Sequence, residues 1–392
     1  KIIVSAGVRF DKSTLNTDQN KYYAFPKASL AANIANFDFW TLKNTINQFK
    51  LRAAYGETGG LPNFGVIFEA LTPQIIGGQL GGQVGTRGVD PNLRPETASE
   101  LEFGVDLGLF NSRITLEATY YNKEVRDLIL DLQPASSTGI TAIATNAADL
   151  TNKGVELGLG VTAVRSANIN WYSKLLYWQN RSEITRLDIP TRFNGGFGVA
   201  LGTYLLAEGF SPTTIVGNPS GTTVPGGATV YGDRQPDFQM SWFNQFTLFK
   251  NFDLNFLFHY QNGGAAINLS AFLWDSGGTT PGWSTPNADG VPFGRARALQ
   301  RAGGDTGVYI GDTDYLRLRE LGLYYTLPSG LFGSVIERAK VGVSANNLLL
   351  WTKYDSYDPE VSNFGSQPLA ASVEVAPFPS SRRLFFHLKL DF

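Results

Sequence analysis

Apolar side chains alternate with polar or small ones at a period of two along most of this chain, a pattern that strands produce and helices cannot. Leu101, Phe103, Val105, Leu107 and Leu109 share one face, against Glu102, Gly104, Asp106 and Gly108. Ile114, Leu116, Ala118 and Tyr120 oppose Thr115, Glu117 and Thr119, and Val155, Leu157, Leu159 and Val161 oppose Glu156, Gly158, Gly160 and Thr162. Phe238, Met240, Trp242, Phe246 and Leu248 oppose Gln239, Ser241, Gln245 and Thr247. Phe252, Leu254, Phe256, Phe258 and Tyr260 oppose Asp253, Asn255 and His259. The pattern predicts about twelve strands, at roughly 1–10, 23–34, 48–57, 97–109, 113–130, 149–164, 168–181, 238–250, 252–263, 313–327, 339–352 and 381–392.

The second face of these strands is rich in Gly, Ser, Thr, Asn and Gln, with occasional charges. A soluble sandwich would put many Lys and Glu there, whereas the wet interior of a wide barrel needs only polarity. Connections support the barrel. Very short ones at Phe110–Ser112, Arg165–Asn168 and Lys250–Phe252, and a somewhat longer one near Pro328–Ala339, alternate with long ones near 58–96, 131–148, 182–236, 264–311 and 353–380. Transmembrane barrels pair short periplasmic turns with long external loops, and structureless loops of this length suit a compact soluble domain poorly. The chain ends on Leu384, Phe386, Leu388, Leu390 and Phe392, alternating with Phe385, His387, Lys389 and Asp391. Such a strand ending in an aromatic residue is usual for outer-membrane barrels, though a soluble sheet can also end this way. With the C-terminus periplasmic, every long loop is extracellular. Tyr120-Tyr121, Trp171-Tyr172, Tyr177-Trp178 and Tyr324-Tyr325 are candidates for the interfacial aromatic girdle.

Composition narrows the classes. The 32 basic and 34 acidic side chains give a net charge of −2, so no nucleic-acid partner is expected. Cys is absent, which excludes disulfides, thiolate catalysis and Cys-ligated metals in this chain. The only histidines, His259 and His387, leave little room for a His-based relay, and the alternation points His259 into the lumen. No apolar stretch reads as a spanning helix. Neither Gly-x-Ser-x-Gly nor a P-loop is present, so no enzyme and no cofactor is expected. Asp312, Asp314, Asp355, Asp358 and Glu360 offer oxygens for a possible loop calcium, but no twelve-residue calcium loop is present. The chain opens Lys1-Ile2-Ile3-Val4-Ser5, without Met or a leader pattern, so a processed chain or the C-terminal part of a longer one is expected.

Six segments resemble the SusC/RagA-like TonB-dependent transporters of Bacteroidota. Lys50-Leu51-Arg52-Ala53-Ala54-Tyr55-Gly56-Glu57-Thr58-Gly59 is similar to that family's LRASYGxTGN strand. Asp90-Pro91-Asn92-Leu93-Arg94-Pro95-Glu96 is similar to NPNLKWE, with Pro95 where Trp is common. Tyr120-Tyr121 with Asp127-Leu128-Ile129, and Asn152-Lys153-Gly154-Val155-Glu156-Leu157, resemble YYxxxxxDLI and NKGVEL. Asp314-Tyr315-Leu316-Arg317-Leu318-Arg319 through Pro328 resembles YLRLKNLTLGYTLP, and Asn347-Leu348-Leu349, Lys353-Tyr354 and Tyr357-Asp358-Pro359-Glu360 resemble NLLTFTKYxGYDPE. Their order, from residue 50 to residue 360, makes the match specific. Physically, most of these residues read as strand ends, bulges and turns rather than ligand contacts.

The resemblance implies an all-β fold: a transmembrane antiparallel β-barrel, of which residues 1–392 are about the last twelve strands of roughly 22, with the plug domain absent from this chain. A self-contained twelve-strand barrel is the alternative. The function it implies is TonB-dependent uptake of oligosaccharides or peptides across the outer membrane. The implied partners are a SusD-like surface lipoprotein, the TonB complex through the missing N-terminal part, outer-membrane lipid, and a second transporter–lipoprotein pair in a dimer. An adhesin or structural barrel, a passive porin, and a soluble all-β binding protein remain as alternatives. Substrate contacts are expected in loop 264–311, on Trp274, Asp275, Trp283, Arg295 and Arg297, with Phe272, Asn287, Asp289 and Arg301 nearby. Aromatic faces stack on rings while Asp, Asn and Arg orient them. Packing of the loop against itself is the competing reading.

Overall fold

The computed structural model describes residues 1–68, 71–218, 223–280, 283–286, 288, 290–328, 336–363, 373–378 and 380–392. Twelve long strands form its main sheet: β1 (Ile2–Asp11), β2 (Tyr23–Asn33), β3 (Ile46–Gly60), β4 (Glu96–Leu109), β5 (Ile114–Leu132), β6 (Ala142–Arg165), β7 (Ile169–Leu187), β8 (Phe238–Leu248), β9 (Phe252–Asn262), β10 (Tyr315–Thr326), β11 (Arg338–Thr352) and β12 (Arg383–Asp391). Each pairs antiparallel with its neighbour in sequence, without a crossover. All twelve expected strands are present. β1 and β12 pair only with β2 and β11, so the sheet is an open arc of barrel wall.

Register explains the two faces. Leu107, Leu116, Leu159, Leu175, Trp242 and Phe258 stand side by side across β4–β9. On the other face Arg52, Gly104, Thr119, Glu156, Trp178, Gln239 and Gln261 do the same across β3–β9. Burial on the strands is inverted relative to a soluble sheet. Phe103 is 51% exposed and Leu157 43%, while Tyr204, Ile215, Ile267 and Val373, all between strands of the wall, are at most 1% exposed. An apolar outer face suits hydrocarbon, where leaving protein contact carries no hydration cost. Among the described residues no helix is long and apolar enough to cross a membrane.

The lumen face is cross-braced. Arg52 donates to Asp106 Oδ1 from Nε (3.1 Å) and Nη2 (2.9 Å), and Lys340 donates to Asp253 Oδ2 at 2.6 Å. His259 faces the lumen as expected, 3.0 Å from Ser241 Oγ, with its ring stacked on Tyr315 at 5.6 Å. The girdle pairs divide, because neighbouring residues on a strand point to opposite faces. Tyr121 and Tyr324 lie on the lumen wall, where they cover Gly154 and Gly342.

Two features depart from the sequence reading. β5, β6 and β7 run further than expected, leaving only residues 133–141 between β5 and β6. Polar side chains stabilise the extension: Arg186 makes two 2.8 Å bonds to Asp149, and Asn146 Nδ2 donates to Asp127 O at 2.7 Å. The long connections also have structure of their own. Residues 192–194, 203–206, 214–217 and 229–233 form a small four-stranded sheet, and Leu71–Ile76 pairs with Gln79–Val84 as a hairpin.

Candidate functional site

The connection from β9 to β10 carries the site. Its strand Ala265–Asn268 pairs antiparallel with Ile310–Asp312 and parallel with Val373–Glu374. This buries Ile267, Leu269 and Val373 with Tyr204 and Ile215. Helix α1 (Leu269–Gly277) follows directly. The Asn268 side chain caps it by accepting from Ala271 N at 3.0 Å, and Gly278 ends it in a left-handed conformation. Helix α2 (Phe293–Ala302) packs against α1.

Asp275 joins the two helices. Its side chain is fully buried, and Arg297 grips both oxygens: Nε to Oδ2 at 2.9 Å and Nη2 to Oδ1 at 3.0 Å. Tyr309 OH donates to Oδ2 at 3.0 Å, and the Thr280 hydroxyl donates to Oδ1. Four donors therefore occupy this carboxylate, and its place is inside the loop as a strut. Burial opposes the charge on Arg297, but Asp275 and Asp355 outweigh it and hold the guanidinium pKa above its ordinary value. Burial, reinforced by Asp275, pushes the Tyr309 phenol up.

Arg297 reaches outward as well, with Nη1 2.9 Å from Asp355 Oδ2 and its guanidinium 4.9 Å over the Phe293 ring. Trp274 meets Tyr357 edge to face at 5.3 Å. Trp274, Phe293, Arg297, Tyr354, Asp355, Ser356 and Tyr357, with Thr280, line a cleft of about 290 Å³. Of the residues expected from sequence, Trp274, Asp275 and Arg297 thus come together. Trp283 packs against Gly294 beneath them. Arg295 is exposed on α2 outside the cleft lining. Asn287 and Asp289 lie outside the described residues.

Sequence reasoning missed the second wall, Tyr354 to Tyr357. The signal was there in the Tyr357-Asp358-Pro359-Glu360 motif, but that motif reads as a turn. It is anchored to the lumen wall. Arg317 Nη2 donates to Asp358 Oδ1 at 2.5 Å, and its Nε lies 3.0 Å from Glu360 Oε2. Arg319 also pairs with Glu360, and Tyr315 OH donates to Glu360 Oε1 at 2.5 Å. Arg317 and Asp358 are almost wholly buried. Burial raises the Asp358 pKa, but Arg317, Ser380 and the Glu360 amide outweigh it and hold the carboxyl below its ordinary value.

Four of the five acidic residues considered for calcium are dispersed onto other partners. Asp355 pairs with Arg297, Asp358 with Arg317, Glu360 with Arg319, and Asp314 accepts from Gly263 N at 2.5 Å. Among the described residues no three His, Cys, Asp or Glu side chains are placed to hold a metal ion. A second cavity, of about 390 Å³, lies on the lumen wall against Arg52, Glu117, Thr119, Glu156 and Trp178.

Known proteins share this architecture. The chain is 29% identical to TonB-dependent receptor P26 of Formosa agariphila, across 100% of this chain and 44% of that protein. It is 22% identical to TonB-dependent receptor SusC of Bacteroides thetaiotaomicron, across 98% of this chain and 42% of that one. The chain therefore spans under half the length of these curated relatives. A solved structure of the RagAB peptide transporter superposes with a TM-score of 0.78 at 22% identity, covering 100% of this chain and 46% of that chain. That likeness supports the fold. The model of the family described as TonB dependent receptor-like, beta-barrel, matches residues 1–348. On this match, and with its open arc of antiparallel wall, the chain belongs to the TonB-dependent receptor β-barrel family.

Proposed function

We propose that this chain is the C-terminal barrel portion of an outer-membrane importer that takes up oligosaccharides or peptides with energy from TonB. One observation carries the reading. The connections that fold into sheets, helices and a cleft all leave the same end of the wall, whereas the other end carries turns such as 110–113, 166–168 and 249–251. In a transmembrane barrel that asymmetry puts the elaborated end outside and the C-terminus in the periplasm. Ligand caught at the elaborated end would meet the charged lumen face next, where a plug in the remaining part of the protein would control passage.

A SusD-like surface lipoprotein covers the outer mouth in this reading, and transporter–lipoprotein pairs associate as dimers. Likeness in fold to the RagAB peptide transporter supports this reading. Uptake of labelled oligosaccharide or peptide mixtures by cells carrying the full-length receptor tests the reading. Uptake should require TonB and should disappear when the receptor gene is deleted. Accumulation that persists without TonB would point to a passive porin, and binding without accumulation to an adhesin.

A further inference from the structure

Arg297 and Asp355 are the charged side chains lining the cleft between α1, α2 and residues 354–357. Asp275, buried behind the lining, already holds Arg297 through both of its oxygens, so Arg297 is shared between two carboxylates and Asp355 is the less engaged of them. Asp275 is fully buried, whereas the Asp355 side chain is 76% exposed and gives only Oδ2 to Arg297. Arg295, two residues before Arg297 on α2, is not part of the lining. Four rings, Trp274, Phe293, Tyr354 and Tyr357, line the cleft together with this carboxylate, with Phe293 48% and Tyr357 39% exposed.

We propose that this cleft binds an organic ammonium group, carried by a lysine-bearing peptide or an amino sugar, with Asp355 as counter-ion and the rings as its cage. Aromatic faces attract cations through their quadrupole, and an adjoining carboxylate with an unused oxygen completes the match to a protonated amine. An anionic ligand meets Asp355 beside an arginine already engaged by Asp275. A neutral ring can stack but leaves that carboxylate without a partner. A cavity of about 290 Å³ accommodates one residue of a longer ligand rather than the whole. The inference rests on the importer reading only for placing the cleft at the outer mouth.

Titration calorimetry on the full-length receptor in detergent tests it with four probes: trilysine, its fully acetylated form, the glucosamine trimer and triacetylchitotriose. At least one free-amine probe should bind, its acetylated counterpart at least tenfold more weakly. Asp355→Asn should weaken the free-amine probe at least tenfold, and Tyr357→Ala severalfold, in protein that keeps the heat-modifiable mobility of a folded barrel. Binding of trilysine alone assigns a peptide ammonium, and of the glucosamine trimer alone an amino sugar. Equal binding of acetylated probes, no binding of either free-amine probe, or an unchanged Asp355→Asn receptor would each overturn the proposal. Amine binding without TonB-dependent accumulation would keep this site and remove the importer reading; the reverse would remove the site alone.

Discussion

The ring of Tyr121 on β5 lies across Gly154, its partner in register on β6, filling the space in which any larger residue would place its side chain. The phenol then donates to Asn180 Oδ1 on β7 at 2.9 Å, tying three strands together on the lumen face. The glycine of the NKGVEL-like segment thus gives close approach to a neighbouring ring, and Gly342 does the same beneath Tyr324. Gly154→Val should cost about 1–3 kcal/mol through overpacking, read as a lower urea midpoint of the folded barrel. Adding Tyr121→Ala should recover only part of the loss, because Gln179 O also stands against the new Cβ. Full recovery would show that the ring alone excludes a side chain there.

The two faces of the wall set a second test. Leu157→Arg or Phe256→Arg, on the outer face, should impair insertion, by roughly 2–4 kcal/mol near the bilayer midplane. Glu156→Gln and Asn255→Ala, on the lumen face, should leave the heat-modifiable band intact. Equal tolerance of both classes would contradict a lipid-facing outer surface.

Asp275 should behave as a strut. Removing it leaves Arg297 and Tyr309 without their shared acceptor. Breaking a buried pair of this kind costs on the order of 3–5 kcal/mol. Asp275→Ala should make residues 269–302 sensitive to protease while the barrel band persists. Continued resistance with loss of ligand would instead make Asp275 a binding group.

Asp358 gives the anchored segment a pH dependence. Its folded pKa lies below the ordinary carboxylate value. Its contribution is therefore fully present above the unfolded pKa, about 3.9, and is lost as pH falls through the lower folded value. The amide protection factors of residues 353–363, corrected for the intrinsic pH dependence of exchange, should be high at neutral pH and fall only below about pH 4. Asp358→Asn should show fast exchange throughout. A loss of protection near pH 6 would assign the dependence to another group.

The wall was legible because a period of two runs through most of the strands between their bulges, and because lipid on one side and water on the other leave little freedom in register. Asn244 shows where alternation misleads: it lies on the apolar face, fully buried, accepting from Trp171 Nε1 at 3.0 Å. The loops were not legible for a different reason. Ile267 pairs with Val373, more than a hundred residues away, in strands too short to show any period. Helix α1 spans nine residues, and beyond its own caps it is held by an arginine on another helix. Trp274 and Arg297 are candidates by residue type, and the structure places both on the cleft. Asp275 was found by type too, but its burial was invisible because Arg297, Thr280 and Tyr309 approach from separate segments. Tyr357 reads as part of a turn and Asp355 as a calcium candidate, since nothing local shows that Arg317 holds that turn against the lumen wall.

The central claim is topological, and cysteine labelling on intact cells tests it most directly, against a background free of native thiols in this chain. Gln74→Cys and Arg295→Cys, exposed at the elaborated end, should react with an impermeant maleimide from outside. Lys43→Cys and Ala167→Cys, exposed at the opposite end, should react only after the outer membrane is permeabilised. Labelling of Lys43→Cys or Ala167→Cys on intact cells, with Gln74→Cys and Arg295→Cys silent, would invert the barrel and contradict the account.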